Sequence, residues 1–165
     1  MARTEIERSV RQPLLDRLTD DAPGLGDPPS SWAESVRQFK ASVRRDLEWL
    51  LNTRRIPEPV PEGLVELRRS LYAYGLPDIT SLSRDSASDR TLLLRQVAEA
   101  IGVFEPRLGN VKVSLVETDG AGHRRELRFL IEGVLRLDPN PEHVVFDTVL
   151  ELSSGEYDVT GAGGA

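Results

Sequence analysis

The sequence contains no cysteine and only two histidines, His123 and His143. Without cysteine, the chain can form neither disulfides nor thiolate metal sites. Both histidines fall in predicted loops or turns, without the nucleophile and orienting carboxylate that a Ser-His-Asp device requires. No histidine pair at metal-binding spacing occurs, nor does a glycine-rich phosphate loop between a strand and a helix. The sequence therefore predicts no catalytic residue, no metal and no cofactor.

Long apolar runs and an excess of positive charge are also lacking. The first residues, Met1 to Arg8, hold no apolar signal core, and no later run is long enough to span a bilayer. We therefore expect a cytoplasmic protein with no direct membrane insertion. The formal net charge of −6 argues against nucleic-acid binding, which usually depends on clustered basic side chains. A length of 165 residues, 39% of them hydrophobic, fits one soluble domain plus tails.

Three segments have the apolar spacing of amphipathic helices. The first is predicted from about Ser31 to Thr53, because Ser31 and Glu34 form a capping box. A short second helix is predicted over residues 62–74, with three leucines inward and a glycine after its last turn. A third is predicted over residues 88–104, with a serine as its cap. The residues concerned in the second and third helices are Leu64, Leu67, Leu71, Gly75, Ser86 and Ser88.

After Asn110 the apolar pattern changes to strict alternation, which predicts strands. The predicted segments are 111–115, 127–132, 144–152 and 156–159, and Gly133 is a candidate bulge. Helices first and antiparallel strands second indicate a two-layer α+β fold. We expect about three helices packed on one face of an antiparallel sheet of three to four strands. Each of the two edges of such a sheet is a template for a strand of another chain.

The N-terminal segment carries a short apolar cluster, Leu14, Leu15 and Leu18, followed by a loop rich in Asp, Gly, Pro and Ser. We expect this anchor to be buried either against the chain's own domain or against a partner, and residues 1–12 to be mobile. The predicted division is an anchor and flexible loop at 1–30, an α+β domain at 31–160 and a disordered tail at 161–165.

The junction between the third helix and the first strand contains Glu105, Pro106 and Arg107. Pro106 disfavours helical geometry at Glu105 and so ends the helix there. In extended chain, residues two apart share a face, which places the carboxylate of Glu105 beside the guanidinium of Arg107. A carboxylate at a helix C-terminus also favours a nearby cation. Either the two side chains bind each other or they contact a partner together.

Glu105 has the most distinctive setting of the acidic residues, so a lysozyme-like enzyme that cleaves peptidoglycan is an alternative function. Such an enzyme needs a carboxylic acid that keeps its proton, together with a second carboxylate across a cleft. Arg107 instead favours the charged carboxylate. We therefore predict no enzymatic activity.

Trp49, which lies off the apolar stripe of the first helix, is either an exposed contact for a partner or packs at the margin of the core.

Four motifs, in order, resemble the GPW-type baseplate wedge family, which includes the E subunit (TssE) of type VI secretion baseplates and is shared with contractile phage tails. The motifs are Leu14-Leu15-Asp16-Arg17-Leu18, the run SVRRDLEWLLNTR at residues 42–54, Tyr74-Gly75-Leu76-Pro77-Asp78 and Glu105-Pro106-Arg107-Leu108. With the strand pattern behind them, they cover about residues 13–160.

The resemblance implies a non-enzymatic structural subunit that links the wedge scaffold to the contractile sheath and helps start sheath assembly. The implied partners are the other wedge subunits (TssF, TssG and TssK) and the sheath subunits (TssB and TssC). They form a hetero-oligomeric complex docked at the inner face of the cell envelope. The family's Glu-Pro-Arg motif maps onto Glu105, Pro106 and Arg107. These three residues and the anchor leucines are the predicted partner-binding residues.

Overall fold

A computed structural model describes residues 9–19, 31–79, 86–116 and 126–163. The chain divides into two compact units, residues 1–43 and 44–165. The described residues contain three α-helices, four strands and two short 3-10 turns, at Leu67–Arg69 and Leu71–Ala73. In chain order, the helices and strands are α1 (Leu14–Leu18), α2 (Trp32–Asn52), α3 (Ala87–Phe104), β1 (Leu108–Val116), β2 (Glu126–Leu135), β3 (Glu142–Glu151) and β4 (Glu156–Gly163).

In the first unit, the segment before α1 is tied to the beginning of α2. The backbone N–H of Val10 donates to Ser35 Oγ at 3.0 Å, and Gln12 Nε2 donates to the carbonyl of Ser35 at 3.0 Å. Ser35 is fully buried. These bonds connect Val10 and Gln12 to α2; the expectation that residues 1–12 are mobile stays a prediction. The first eight residues and the predicted flexible loop at 20–30 lie outside the described residues.

Helix α2 begins after Ser31, as predicted, but only one half of the capping box is present, because the Glu34 carboxylate binds Arg37. The backbone N–H of Glu34 donates to Ser31 Oγ at 3.2 Å. The helix extends to Asn52, within one residue of the predicted end. Its buried apolar residues recur at helical spacing, as the amphipathic pattern requires. They are Phe39, Val43, Leu47, Leu50 and Leu51.

In the second unit, the four strands form an antiparallel sheet in the order β1-β2-β3-β4. Buried residues alternate with more exposed ones along β2 and β3, so one face of the sheet carries the core. Helix α3 packs against β1. The central core residues of strands and helices are Phe129, Ile131, Leu135, Val144, Phe146, Leu150, Val159, Leu47, Leu50, Leu93, Val97 and Ile101. The predicted two-layer α+β fold is confirmed.

The second predicted helix, over residues 62–74, is wrong. The two 3-10 turns replace it, and Ser70 between them has an extended backbone with φ −92° and ψ 173°. Ser70 Oγ accepts a hydrogen bond from the N–H of Tyr72 at 3.2 Å and so caps the second turn. Serine competes for backbone groups in this way, which favours turns over a continuous helix. Leu71, predicted to point inward, is 86% exposed.

Gly75 closes the loop onto the end of α2. Its φ of +100° suits glycine, and a Cβ at this position would lie 2.3 Å from the carbonyl oxygen of Thr53. The N–H of Leu76 donates to the Thr53 carbonyl at 2.8 Å, and the N–H of Arg55 donates to the Leu76 carbonyl at 2.8 Å. The glycine is therefore required by a tertiary contact between two backbones and not by a helix end.

Gly133 marks a bulge, as predicted: Asn110 and Val111 of β1 lie opposite this one residue of β2. The register of β1 against β2 shifts between Gly109 and Lys112. Asn110 has a φ of +54° there, a conformation that asparagine adopts more readily than most residues. Gly133 pairs in register with β3. It leaves room for Leu108, whose Cγ would lie 2.7 Å from a Cβ at position 133.

Strand β4 is longer than the predicted strand over residues 156–159. It extends to Gly163, and Ala162 and Gly163 pair with Phe146 and Val145 of β3. The strand thus includes residues 161–163, which the sequence-based division assigned to a disordered tail. The last two residues lie outside the described part of the chain.

Replacing Gly75 with alanine should destabilise the protein by about 3 kcal/mol, because a side chain there meets both an unfavourable φ and the Thr53 carbonyl. Gly102→Ala is the matched control. Gly102 lies inside α3 with open space around its Cβ position, so alanine should stabilise the helix by roughly 0.5–1 kcal/mol. Urea denaturation measures both effects. Equal stabilities of the two variants would contradict the described contact.

Candidate functional site

The Glu-Pro-Arg corner lies at the junction between α3 and β1. Phe104 is the last residue of α3, and Glu105 caps the helix, donating its N–H to the carbonyl of Ile101 at 2.8 Å. Pro106 and Arg107 form the turn that leads into β1, and Pro106 is exposed. The prediction that the helix ends at Glu105 is confirmed.

Glu105 is only 4% exposed, and Arg107 binds both of its carboxylate oxygens. Oε1 accepts from Arg107 Nε at 2.6 Å and from the Arg107 backbone N–H at 3.2 Å. Oε2 accepts from Arg107 Nη2. This bidentate pair has the geometry of a strong charge-assisted interaction. The sequence left open whether the two side chains bind each other, and in the isolated chain they do.

Arg107 also connects the corner to α2. Its Nη2 donates to Asp46 Oδ2 at 2.6 Å. Asp46 Oδ1 in turn accepts from Arg45, from Nε at 3.1 Å and from Nη2 at 2.9 Å. Carboxylates and guanidinium groups thus alternate in the order Glu105, Arg107, Asp46 and Arg45. We call these four residues the charge chain.

The electrostatics of the charge chain keep Arg107 ionised. Burial by itself lowers the pKa of Arg107, but the hydrogen bonds and negative charges of Glu105 and Asp46 outweigh burial and raise the pKa above its ordinary value. Burial and the same two carboxylates also raise the pKa of neighbouring Tyr74. The Tyr74 ring packs edge-to-face on Phe104, with ring centroids 5.2 Å apart.

Two members of the site were not assigned from the sequence. Asp46 and Arg45 lie in the run at 42–54 that carries part of the family resemblance, but helical periodicity gives no sign that Asp46 meets Arg107, 61 residues later. Trp49 is 51% exposed, which leaves both of its alternatives open. The guanidinium of Arg45 lies over the Trp49 ring, 5.0 Å from the centroid.

The anchor leucines lie in the first unit. Leu14, Leu15 and Leu18 are 67%, 46% and 74% exposed, and α1 has no buried residue. The structure does not bring them into a core. Three exposed leucines within five residues form an apolar cluster that a partner can cover.

The remaining candidates for chemistry form no site. His143 lies on β3, where it is exposed, and not in a turn as predicted; His123 lies outside the described residues. Within the described ranges, no group of three or more histidine, aspartate or glutamate side chains is arranged to hold a metal ion. None of the helices in this part of the chain is both long and apolar enough to cross a membrane.

The two edges of the sheet differ. At β4, the backbone N–H and carbonyl of Tyr157 bind the side chain of Asn52, and the carbonyl of Val159 accepts from Arg44 Nη1 at 2.9 Å. At β1, none of the described residues hydrogen-bonds to the outer backbone groups from Val111 to Val116. The β1 edge is therefore open among the described residues.

A family model described as baseplate wedge protein gp25 matches residues 37–140. The chain belongs to the gp25 baseplate wedge family. Searches of curated proteins and of solved structures gave no match. Membership of the gp25 family makes the chain a component of a multi-subunit, phage tail-like baseplate. The matched region contains all four residues of the charge chain and the open strand β1, whereas α1, β3 and β4 lie outside it.

Arg107→Ala should lower the free energy of unfolding by about 3 kcal/mol, because it leaves the buried Glu105 carboxylate without its partner. Arg37→Ala is the control: it removes an arginine from an exposed pair with Glu34, which is worth only ~0.3 kcal/mol. Chemical denaturation measures both. The double variant Glu105→Gln, Arg107→Met no longer has a buried carboxylate without a partner. It should therefore recover part of the unfolding free energy that Arg107→Ala loses. If Arg107→Ala and Arg37→Ala unfold alike, the pair has no structural role.

Proposed function

We propose that the chain is the E subunit (TssE) of a type VI secretion baseplate wedge, where it links the wedge scaffold to the contractile sheath and helps start sheath assembly. Its partners would be TssF, TssG and TssK in the wedge and TssB and TssC in the sheath, on the cytoplasmic side of the envelope. Membership of the gp25 family supports the wedge role. The observation that carries the link to the sheath is the open edge of β1.

The charge chain suits the contact with the scaffold. Glu105 is buried in the isolated chain, where its carboxylate positions Arg107. Arg107 and Arg45 remain partly exposed beside the exposed Pro106 and Trp49. Arginine and tryptophan are the residue types that most often dominate the energetics of interfaces. Because Glu105 and Asp46 already hold Arg107 in place, little side-chain entropy is lost when a partner carboxylate binds it.

The register of the sheet indicates which groups of β1 face outward. Tyr157 points its N–H and carbonyl away from β3 and towards Asn52. Backbone groups alternate in direction along each antiparallel strand. Counting through the pairs of β3 and β2 places the outward groups of β1 at Val113 and Leu115. An extended sheath segment can add to the sheet there by backbone hydrogen bonds.

The same geometry favours a non-enzymatic role. A lysozyme-like mechanism requires a proton donor that reaches the glycosidic oxygen and a second carboxylate across a cleft. The Glu105 carboxylate is buried and bound to Arg107, and the Asp46 carboxylate is bound to Arg107 and Arg45. Both groups are used in holding the corner together.

Val113→Pro tests the link to the sheath. Proline removes one outward N–H of β1 and is tolerated on edge strands. The variant should fold and co-purify with TssF, TssG and TssK. The number of sheaths formed by TssB and TssC should fall at least ~10-fold, which corresponds to a loss of about 1.4 kcal/mol of binding free energy. Val113→Ala also loses the side chain but keeps the N–H, so it should assemble sheaths normally. Normal sheath numbers with Val113→Pro would refute the role of the β1 edge.

The anchor is tested by replacing Leu14, Leu15 and Leu18 together with serine. Because all three are exposed, the melting temperature should hardly change. Co-purification with the wedge subunits should be lost, since each leucine that a partner buries is worth roughly 1.5–3 kcal/mol. Leu71→Ser, at another exposed leucine, is the control and should bind normally. A large drop in melting temperature would instead place the anchor in the chain's own core.

A further inference from the structure

Two side chains of α2 occupy the outer edge of β4. Asn52 Nδ2 donates to the carbonyl of Tyr157 at 2.8 Å, and Asn52 Oδ1 accepts from the N–H of Tyr157 at 2.9 Å. About two turns earlier on the same helix, Arg44 Nη1 donates to the carbonyl of Val159 at 2.9 Å. Tyr157 and Val159 are two residues apart, so their backbone groups point in the same direction, away from β3.

These contacts replace those of a neighbouring strand. The side-chain amide of Asn52 offers one donor and one acceptor to Tyr157, as a residue of a fifth strand would do. Arg44 supplies a donor at the next outward position. An exposed strand edge invites pairing with another chain, and proteins suppress this by covering the edge. Here the cover consists of two side chains and not of backbone.

We propose that Asn52 and Arg44 are edge-blocking residues that close β4 to strand addition and so confine the pairing of this sheet with other chains to β1. The role of β1 rests on the proposed function. The blocking of β4 does not, and it is tested separately. The strand that an unblocked β4 would accept is that of a second copy of this chain, since each copy presents the same edge.

The charges along β4 determine the conditions of the test. Glu156 and Asp158 are exposed next to the edge, so two copies paired through β4 would bring carboxylates together. High salt screens such repulsion: the Debye length is only about 3 Å at 1 M ionic strength. Any effect that remains at high salt reflects the blocking side chains and not the carboxylates.

The experiment compares the full-length chain with the double variant Asn52→Ala, Arg44→Ala by sedimentation velocity at high salt over a wide concentration range. The unchanged chain should show no self-association through β4. The double variant should form a concentration-dependent dimer, and hydrogen exchange should show new protection at Tyr157 and Val159 in the dimer. Glu48→Ala removes the ion-pair partner of Arg44 but no contact with β4, so it should behave as the unchanged chain does.

Single variants keep the proposal testable if the double variant folds poorly. Asn52→Asp still accepts from the N–H of Tyr157 but cannot donate to its carbonyl. Arg44→Ala removes only the hydrogen bond to the carbonyl of Val159. Each should associate more weakly than the double variant and more strongly than Glu48→Ala. Well-folded variants that stay monomeric would overturn the proposal, as would a dimer whose new protection lies in β1. A failure of Val113→Pro to affect sheath assembly would leave these outcomes unchanged.

Discussion

The guanidinium of Arg107 is the interaction on which the candidate site depends. It holds the buried Glu105 carboxylate at the end of α3 and, through Asp46, fixes the α3–β1 corner to α2. A buried carboxylate without a partner is costly, so the pair constrains where the first strand leaves the helix. Two other contacts act in the same region: Gly75 against Thr53 and the Tyr74–Phe104 ring pair.

The two edges of the sheet differ in what covers them. The strand order makes β1 and β4 the two edges of the sheet, and α3 packs against β1. Helix α2 is amphipathic, and its polar side chains Arg44 and Asn52 reach the backbone of β4. One edge is therefore occupied and the other is open among the described residues. In the described part of the chain, the sheet therefore has one edge that can accept a further strand.

Local patterns predicted the features that depend on local physics. The cap of α2 at Ser31, the serine cap of α3, the helix stop before Pro106 and the alternation along β2 and β3 involve neighbours in sequence, and all are confirmed. The helix predicted over residues 62–74 is absent. The leucines there have helical spacing, but a serine among them binds a backbone N–H and favours turns. The bulge predicted at Gly133 is present, but the packing of Leu108 against this glycine is a tertiary contact that the sequence did not indicate.

By itself, the sequence determined the α+β class, the order of helices before strands, the helix stop at Glu105 and the resemblance to baseplate wedge proteins, because each rests on short-range spacing or on motif order. Only the tertiary structure decided that Glu105 is buried, that Asp46 and Arg45 complete the charge chain and that Asn52 covers β4. The contacts of Asp46 and Asn52 join residues 61 and 105 positions apart. Such contacts arise when α2 and the strands pack into one core. They cannot be inferred from the local sequence pattern.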